Sequence, residues 1–365
     1  MSTLPDLHPA APVAGAPARE RLDVYIAGLG NVGGALLDQI AHAPHAPVRV
    51  VGACTRGRSA LDLEGGVDGT LDLEGAPPDW AAVLEALRAN ATSRPTAFVD
   101  ATGAPEVADL VVPFLEAGVS VVTPSKLANT RGLEVWDRLH ELAVGPVHYR
   151  YETTAGAGLP VVRTIEDLVA TGDRVRSVRG VLSGTMTYLF GQIERGASFS
   201  AAARWAYEQG YAEPDVRDDL SGEDVARKLL ILARAAGLRV ERSDVEVESL
   251  VPDSARDVPV SLVTDALEVA DPAWQARVAA AERDGRRLRY VGVLEADRAR
   301  LRVGVEAVPA SSPLGGLSGT DNLVEITTDR YAASPIVVRG PGAGPQVTAG
   351  GVFADVLAVA RAVAR

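Results

Sequence analysis

Residues 22–40 read LDVYIAGLGNVGGALLDQI, and this stretch decides the fold. Its first residues, Leu22–Ala27, are rich in β-forming side chains and predict a strand. A glycine turn with the pattern G-x-G-x-x-G occupies positions 28–33, and the start of a helix follows it. Strand, glycine turn and helix in this order form the fingerprint of a dinucleotide-binding unit. The alternative is a glycine-rich turn between a strand and a helix that binds no ligand.

Each glycine of this turn has its own physical task. Gly28 permits the tight turn, Gly30 lets the main chain approach a pyrophosphate, and Gly33 lets the helix pack close to the strand. The N–H groups at the start of the helix, around Asn31 and Val32, have no partner within the helix and can hold an anion. We therefore expect these five residues to bind the cofactor.

A second strand is predicted at Val48–Ala53, and the residues after it bear on which dinucleotide is bound. A site selective for NAD usually carries Asp or Glu here, bonded to the ribose hydroxyls. The chain continues instead as Cys54-Thr-Arg56-Gly-Arg58. Arg56 can pair with a 2′-phosphate, which favours NADP, while NAD stays possible. The alternative is that both arginines are solvated loop residues.

Two further strands are predicted at Ala97–Ala101 and Val119–Thr123, and small polar residues follow each of them. The carboxyl ends of parallel strands share one edge of a sheet, where α/β proteins bind their ligands. We therefore place Thr102 in the cofactor site and Lys126 where cofactor and substrate meet. A charged loop residue without such a role is the alternative for Lys126.

The region after Val147 has a different character. Its predicted strands alternate as in an antiparallel or mixed sheet: Val175–Leu182, Leu288–Leu294 and Leu301–Val308. Helices are predicted near 80–90, 105–117, 161–171, 200–209, 222–237 and 259–283, with a final helix over Val347–Arg365. The sequence thus predicts an α/β protein with a dinucleotide-binding region and a second region built on a mixed sheet.

Two loops in the second region can bind small ligands. In YETTAGAGLP (151–160), small residues leave main-chain carbonyls free to bind a hard cation beside the Glu152 carboxylate, although a structural turn is equally compatible. The run from Ser183 to Thr185 follows a strand and opens a helix, so its N–H groups and hydroxyls can hold a substrate carboxylate. The alternative there is an ordinary helix cap.

The most acidic stretch is GYAEPDVRDDLSGEDVARK, residues 210–228. Ser221 and Asp224 have the spacing of a capping box, which predicts a helix from about Gly222. Asp224 and Lys228 then lie one turn apart at the border of the apolar stripe of that helix, where they can line a cleft. The alternative is an ion pair that only stabilises the helix.

Composition excludes several classes of function. The chain has 365 residues, enough for two domains, and its 47% hydrophobic and 23% charged residues are ordinary for a globular protein. A net charge of −12 argues against a nucleic-acid-binding surface. The single cysteine, Cys54, excludes an internal disulfide, and five scattered histidines do not predict a transition-metal site. No apolar run predicts a membrane span, and residues 1–20 read as a disordered tail, so we expect a cytoplasmic protein.

With these stretches in place, residues 22–365 resemble homoserine dehydrogenases. The resemblance rests on GLGNVG (28–33), DATG (100–103), TPSK (123–126), YETTAGAGLP (151–160), GVLSGTMTY (180–188), GYAEPDVRDDLSGEDVARK (210–228), SPLGGLSGTDN (312–322) and RGPGAGPQVTAGGVFAD (339–355). It implies NAD(P)-dependent interconversion of L-aspartate 4-semialdehyde and L-homoserine, in threonine and methionine biosynthesis. It also implies a homodimer, a Rossmann-type domain (21–150 plus 344–365, completed by the C-terminal helix) and a catalytic and dimerisation domain (151–343).

The resemblance also assigns roles to individual residues. Lys228 looks like the proton-transfer lysine and Lys126 like a second lysine beside it, with Asp224 supporting both. Further implied roles concern the substrate ammonium (Glu213, supported by Asp218), the cofactor border (Gly210 and Gly344) and a sodium or potassium site (Glu152 with the carbonyls of Ala155, Ala157 and Leu159). Two departures are visible. Relatives often have Asn before the first lysine, where this chain has Ser125. Some relatives also carry an N-terminal kinase region and a C-terminal regulatory domain that this sequence lacks, so we do not expect strong feedback inhibition by threonine.

Two other interpretations stay open from the sequence. One is a different Rossmann-fold reductase that acts on another small aldehyde or keto acid. The other is a cofactor-sensing or scaffold protein that has lost turnover. Comparing the oxidation of homoserine with that of other amino alcohols tests the first interpretation. Measuring NADPH consumption with aspartate semialdehyde tests the second.

Overall fold

The computed structural model describes residues 21–66, 73 and 75–363. The tail predicted at 1–20 lies outside these residues. The strands are β1 (Leu22–Ala27), β2 (Val48–Cys54), β3 (Ser59–Leu61), β4 (Thr96–Asp100), β5 (Ser120–Val122), β6 (Tyr149–Arg150), β7 (Val175–Val181), β8 (Val245–Val247), β9 (Arg286–Glu295), β10 (Arg300–Pro309), β11 (Asp321–Thr328) and β12 (Ile336–Pro341).

Helices connect and cover these strands. The α-helices are α1 (Asn31–Ala41), α2 (Trp80–Ala91), α3 (Pro105–Ala108), α4 (Val111–Glu116), α5 (Leu133–Leu142), α6 (Val162–Ala170), α7 (Gly184–Glu194), α8 (Phe199–Glu208), α9 (Val216–Leu220), α10 (Glu223–Ala235), α11 (Asp253–Arg256), α12 (Val263–Ala266), α13 (Asp271–Arg283) and α14 (Pro345–Val363). Single 3₁₀ turns lie at Ala128–Thr130, Glu152–Thr154, Arg242–Asp244, Val260–Leu262, Leu267–Ala270 and Ala296–Arg298.

The first sheet has the strand order β3-β2-β1-β4-β5-β6. All of its pairs are parallel except β2–β3, which is antiparallel. Both β1 and β4 are buried along their whole length, as expected for strands covered by helices on both faces. Because β1, β4 and β5 are adjacent and parallel, the residues that follow them meet at one edge of the sheet, as predicted.

Helix α14 returns to the first sheet from the far end of the chain. Its buried residues Val352, Val356 and Val359 share one apolar core with Leu22 and Val99 of the central strands. Among the described residues it is the one helix long and apolar enough, by length and composition alone, to cross a membrane. Its apolar face instead packs on α1 and the sheet, so the apolar run belongs to the protein core.

The second sheet has the order β12-β11-β7-β9-β10-β8. Its pairs are antiparallel except β8–β10, which is parallel, so the predicted mixed sheet is confirmed. Helices α7 and α10 pack against it. Helix α10 is buried almost all round, with Leu229, Leu230 and Ile231 at 0% exposure, and it therefore forms a rigid support inside the second region.

Two predicted helices are interrupted. The helix predicted over 259–283 consists of 3₁₀ turns and the short α12, and a regular helix begins only with α13. Pro272 stands at the start of α13, where its missing N–H is tolerated, and this ring cannot sit inside a continuous helix. The helix predicted over 105–117 breaks between α3 and α4, because Pro113 cannot donate the bond that would continue α3.

Candidate active site

A cleft of about 1160 Å³ opens where the carboxyl edge of the first sheet meets α10. Residues from both regions line it. The expected site residues in the lining are Val32, Lys126, Ala157, Ser183, Thr185, Gly210, Glu213, Asp218, Asp224, Lys228 and Gly344. The structure thus brings together residues that are scattered over more than half of the sequence.

Asp224 lies between the two lysines. Its Oδ2 is 2.7 Å from Nζ of Lys228, and its Oδ1 is 3.3 Å from Nζ of Lys126. The ammonium of Lys228 also donates to the main-chain carbonyl of Leu182 at 2.8 Å. The Lys228 side chain is 13% exposed and that of Lys126 is 29% exposed, so both ammonium groups are shielded from water.

The helix start differs from the predicted capping box. Gly222 caps α10 with a left-handed φ of 77°, and a Cβ there would lie 1.9 Å from the hydroxyl of Tyr290. The hydroxyl of Ser221 accepts the N–H of Glu223 at 3.2 Å, while the Asp224 carboxylate turns towards the lysines. The capping box was therefore wrong, although the helix begins one residue from the predicted position.

Electrostatics keep Asp224 ionised. Desolvation by itself would raise the pKa of Asp224, but the positive charges of Lys228 and Lys126 outweigh it and hold the pKa well below its ordinary value. The cluster of two ammonium groups and one carboxylate carries one excess positive charge at this point of an otherwise acidic cleft. Such a charge stabilises a developing negative charge on a bound substrate.

The lysine content of the chain is a further signal that the motifs alone do not give. Lys126 and Lys228 are the only lysines in the chain, and the rest of its 36 Lys and Arg residues are arginines. A guanidinium stays protonated in proteins, whereas an ammonium can give up its proton and take it back. Both residues able to do so lie in one cleft, on opposite sides of one carboxylate.

A second acidic group lines the same cleft. The main-chain N–H of Glu213 donates to Oδ2 of Asp219 at 2.8 Å, and burial raises the pKa of Asp219. The hydroxyl of Thr185 donates to the carbonyl of Tyr211 at 2.6 Å, which ties the start of α7 to the same loop. Asp218 lines the cleft with an exposed side chain, so Asp219, not singled out from the sequence, is the carboxylate that holds the Glu213 loop.

The glycine turn has the geometry that dinucleotide binding requires. Gly28 has a φ of 91°, and a Cβ on Gly33 would lie 1.9 Å from the carbonyl oxygen of Gly28. A Cβ on Gly30 would meet nothing within 4 Å, so open space lies where a pyrophosphate would approach. Helix α1 begins at Asn31 with no side-chain cap, which leaves its first N–H groups for an anion.

Other expected cofactor residues lie in different settings. Arg56 is exposed in the turn after β2, and neither Arg56 nor Thr102 belongs to the cleft lining. The hydroxyl of Thr102 donates to Oδ1 of Asp100 at 2.6 Å, which fixes the turn after β4. Gly210 and Gly344 line the cleft, with left-handed φ values of 70° and 120°.

The expected cation loop is tightly packed. Glu152 is 4% exposed, and its carboxylate oxygens accept the N–H groups of Val162 and Arg163 at 2.8 and 2.9 Å at the start of α6. Within residues 21–66, 73 and 75–363, no hydrogen bond reaches the carbonyls of Ala155 and Ala157. The free carbonyls fit a hard cation, while the carboxylate is already engaged as a helix cap.

Comparison with known proteins shows the family of this chain. Residues 160–357 match the family described as homoserine dehydrogenase, and residues 28–151 match the homoserine dehydrogenase NAD-binding domain. A homoserine dehydrogenase of Emericella nidulans is 39% identical, over 92% of this chain and 97% of the relative. A solved hyperthermophilic archaeal homoserine dehydrogenase in complex with NADPH has a TM-score of 0.71 at 21% identity, over 92% of this chain and 97% of the other.

Some relatives are much longer than this chain. A bifunctional aspartokinase/homoserine dehydrogenase of Haemophilus influenzae is 40% identical over 92% of the chain. This chain spans about two fifths of the length of that relative, as the 42% coverage shows. The two matched regions, and the identity along almost the whole of a single-function relative, show that the chain belongs to the homoserine dehydrogenase family of NAD-binding oxidoreductases.

Proposed function

We propose that this protein interconverts L-aspartate 4-semialdehyde and L-homoserine with a nicotinamide dinucleotide, in amino-acid biosynthesis. One observation carries the proposal: the only two lysines of the chain meet at Asp224 in a cleft beside the glycine turn. The reaction is inferred from family membership, and the two lysines are the residues that we expect to carry it out.

The chemistry requires a proton donor beside a carbonyl oxygen. A bound nicotinamide dinucleotide would supply the hydride in one direction and accept it in the other. In reduction, Lys228 gives its proton to the aldehyde oxygen as that oxygen becomes a hydroxyl, and in oxidation it takes the proton back. Asp224 and the carbonyl of Leu182 orient its ammonium, and Lys126 stabilises the negative charge that develops on the oxygen.

The substrate is an amino acid, so its two charged ends need partners. Glu213, beside Asp218 and on a loop held by Asp219, binds the substrate ammonium. Ser183 and Thr185 lie at the N-terminal end of α7, where the helix dipole and free N–H groups favour the substrate carboxylate. The two sets line the same cleft as the lysines, and in this proposal the aldehyde carbon lies between them.

The dinucleotide site consists of the glycine turn (28–33), with Thr102, Lys126, Gly210 and Gly344 along its border. We infer a preference for NADP, because Arg56 follows β2 where an acid would favour NAD. The NADPH complex of the archaeal neighbour supports the same preference. Replacing Arg56 by Ser should lower kcat/KM with NADPH and leave kcat/KM with NADH unchanged, with Arg58→Ser as the control. Equal losses with both dinucleotides would contradict this assignment.

We also infer a sodium or potassium ion at the loop 152–159. In this proposal the carbonyls of Ala155, Ala157 and Leu159 bind the ion together with Glu152. The Leu159 carbonyl also accepts the N–H of Val161 at 2.9 Å. The expected result is a melting temperature that rises saturably with NaCl or KCl and not with choline chloride. Equal responses to all three salts would remove the cation from the proposal.

Three assignments come from family membership and the sequence. The domain boundaries are 21–150 plus 344–365 and 151–343, the assembly is a homodimer formed through the second domain, and the compartment is the cytoplasm. Sedimentation at micromolar concentration should give twice the mass of the chain, 38.1 kDa. A monomer at that concentration would contradict the dimer.

A direct assay tests the activity itself. The purified chain should consume NADPH with L-aspartate 4-semialdehyde and should reduce NADP with L-homoserine. 2-Hydroxy acids should be poor substrates, since they have no ammonium for the acidic groups of the cleft. Amino alcohols without a carboxylate should be poor substrates because they have no group for the N-terminal end of α7. Turnover of a keto acid or of an unrelated aldehyde with higher kcat/KM would favour a different Rossmann-fold reductase, and no turnover at all would favour a protein without catalysis.

A further inference from the structure

Arg234 is a buried cation on the same helix as Asp224 and Lys228. It lies six residues, about one and two thirds turns, beyond Lys228, and its side chain is 0% exposed. A guanidinium so deeply buried needs partners for its N–H groups. Its hydrogen bonds go to three main-chain carbonyls and one carboxylate, and two of them join α10 to the loop that carries Lys126.

Arg234 holds the far end of the Lys126 loop. Its Nη1 donates to the carbonyl of Asn129 at 2.9 Å and to that of Arg131 at 2.7 Å. The loop between Lys126 and these carbonyls is one helical turn, since the carbonyl of Lys126 accepts the N–H of Thr130 at 3.0 Å and its hydroxyl at 2.9 Å. The main chain at Lys126 is therefore connected to Arg234 through a single rigid turn.

The loop is attached to α10 at two separate points. At one end the ammonium of Lys126 reaches Asp224, and at the other the carbonyls of the loop reach Arg234. These two positions lie about 15 Å apart along the helix axis, at 1.5 Å per residue. The long side chain of Lys126 alone would let the loop pivot, whereas a second attachment point fixes its orientation.

Other groups fix the guanidinium itself. Its Nε donates to the carbonyl of Val240 at 3.0 Å and its Nη2 to Oε2 of Glu241 at 2.9 Å. The ring of Trp136 lies 5.6 Å from the guanidinium carbon. Oε1 of Glu241 accepts the N–H of Leu133 at 2.8 Å, at the start of α5. The planar fork thus has one orientation, which a lysine at this position could not reproduce.

We propose that Arg234 is a positioning residue: it fixes the Lys126 loop against α10, so that Lys126 and Lys228 stay on opposite oxygens of Asp224. The kinetic consequence rests on the proposed function. The structural consequence does not, because the environment of Lys126 can be measured without turnover. The guanidinium of Arg234 makes no hydrogen bond to the cleft-lining residues that we assign to substrate or cofactor.

Two variants and one control test this role. Arg234→Met removes the hydrogen bonds and keeps an apolar stem, and Arg234→Gln keeps two N–H donors without the charge. Arg239→Met is the control, because Arg239 joins the same region to α5 through Asp137 at 2.8 Å but is 66% exposed. We expect kcat to fall on the order of 10²-fold in Arg234→Met with little change in the KM for NADPH, a smaller loss in Arg234→Gln, and normal kcat in Arg239→Met.

A spectroscopic readout separates positioning from a purely structural role. Biosynthetic labelling with ¹³Cε-lysine gives one side-chain signal for Lys126 and one for Lys228, since the chain has no other lysine. In folded Arg234→Met and Arg234→Gln the Lys126 signal should shift while the control leaves it in place. The shift is expected even if homoserine proves not to be the substrate, so failure of the proposed function remains distinguishable.

Several results would overturn the proposal. Normal kcat in folded Arg234→Met would do so, as would lost kcat with an unmoved Lys126 signal. Circular dichroism and thermal melting establish whether each variant is folded. If neither variant folds, Arg234 serves the stability of the fold and the positioning role is rejected.

Discussion

Lys126 and Lys228 share one counter-ion: their ammonium groups lie 3.3 and 2.7 Å from opposite oxygens of the Asp224 carboxylate. Lys126 comes from the loop after β5 in the first sheet, and Lys228 comes from α10 in the second region. The contact therefore crosses between the part that fits a dinucleotide and the part that fits an amino acid.

Replacing Lys228 should abolish most of the turnover. Lys228→Ala removes the proton donor, so kcat should fall by about 10²–10⁴-fold, while the KM for the dinucleotide stays near normal. Lys228→Arg is the matched variant, because it keeps the positive charge but cannot give up a proton. Steady-state kinetics with NADPH and aspartate semialdehyde measure both. If Lys228→Arg retains normal kcat, the lysine acts by charge and not by proton transfer.

Asp224 should contribute stability that is lost in acid. The lysines hold its pKa below the ordinary value, so its ionised form stabilises the folded state above about pH 4 and this contribution disappears as the pH falls. Asp224→Asn should therefore show a shallower decrease in the free energy of unfolding between pH 6 and pH 3. Urea denaturation at several pH values measures it.

The control for that experiment is Asp253→Asn, because the Asp253 side chain is 89% exposed and does not belong to the cleft lining. It should leave the pH dependence of unfolding unchanged. Parallel pH profiles for wild type and Asp224→Asn would contradict the inferred ion pairing.

Glu213 and Asp219 should affect substrate binding more than chemistry. Glu213→Gln removes the charge that attracts the substrate ammonium, and Asp219→Asn weakens the hydrogen bond that holds the Glu213 main chain. A lost hydrogen bond to a charged group is worth about 1.5–3 kcal/mol, so the KM for homoserine should rise by about 10- to 100-fold. The KM for the dinucleotide should stay constant in both variants.

Glu208→Gln serves as the control for charge alone, because Glu208 is an exposed acid at the end of α8 outside the cleft lining. Its KM values should match those of the wild type. A change in kcat without a change in KM, in either cleft variant, would mean that these acids do not bind the substrate.

The glycine turn offers a matched pair of substitutions. In Gly33→Ala the new Cβ would lie 1.9 Å from the carbonyl oxygen of Gly28, so α1 must move and the melting temperature should drop. In Gly30→Ala the new Cβ meets no protein atom within 4 Å, so the fold should persist while the methyl group obstructs the pyrophosphate.

Thermal melting and fluorescence titration with NADPH distinguish the two effects. Gly30→Ala should keep its melting temperature and lose NADPH affinity, whereas Gly33→Ala should lose both. Undiminished affinity in Gly30→Ala would show that the dinucleotide does not approach this turn.

Some features of the fold were not predicted from the sequence. Strands β11 and β12 were missed although residues 323–328 and 336–338 are rich in β-branched side chains. Their register is set by pairing with β7 and with each other. Asp219 rather than Asp218 holds the Glu213 loop, a choice that depends on the direction in which α9 presents each side chain. Nothing in the local sequence indicates that the side chain of Arg234 is buried.

The sequence by itself determined the glycine turn at 28–33 between β1 and α1, the helix beginning near Gly222 and the residue types of the cleft. These features depend on near neighbours along the chain. Only the tertiary structure decided that Lys126 and Lys228 meet at one carboxylate and that Glu152 caps α6. Such contacts join segments far apart in the sequence, and their geometry follows from how two sheets and a buried helix pack. The local sequence pattern therefore predicts which residue types line the cleft, and the packing determines the distances between their side chains.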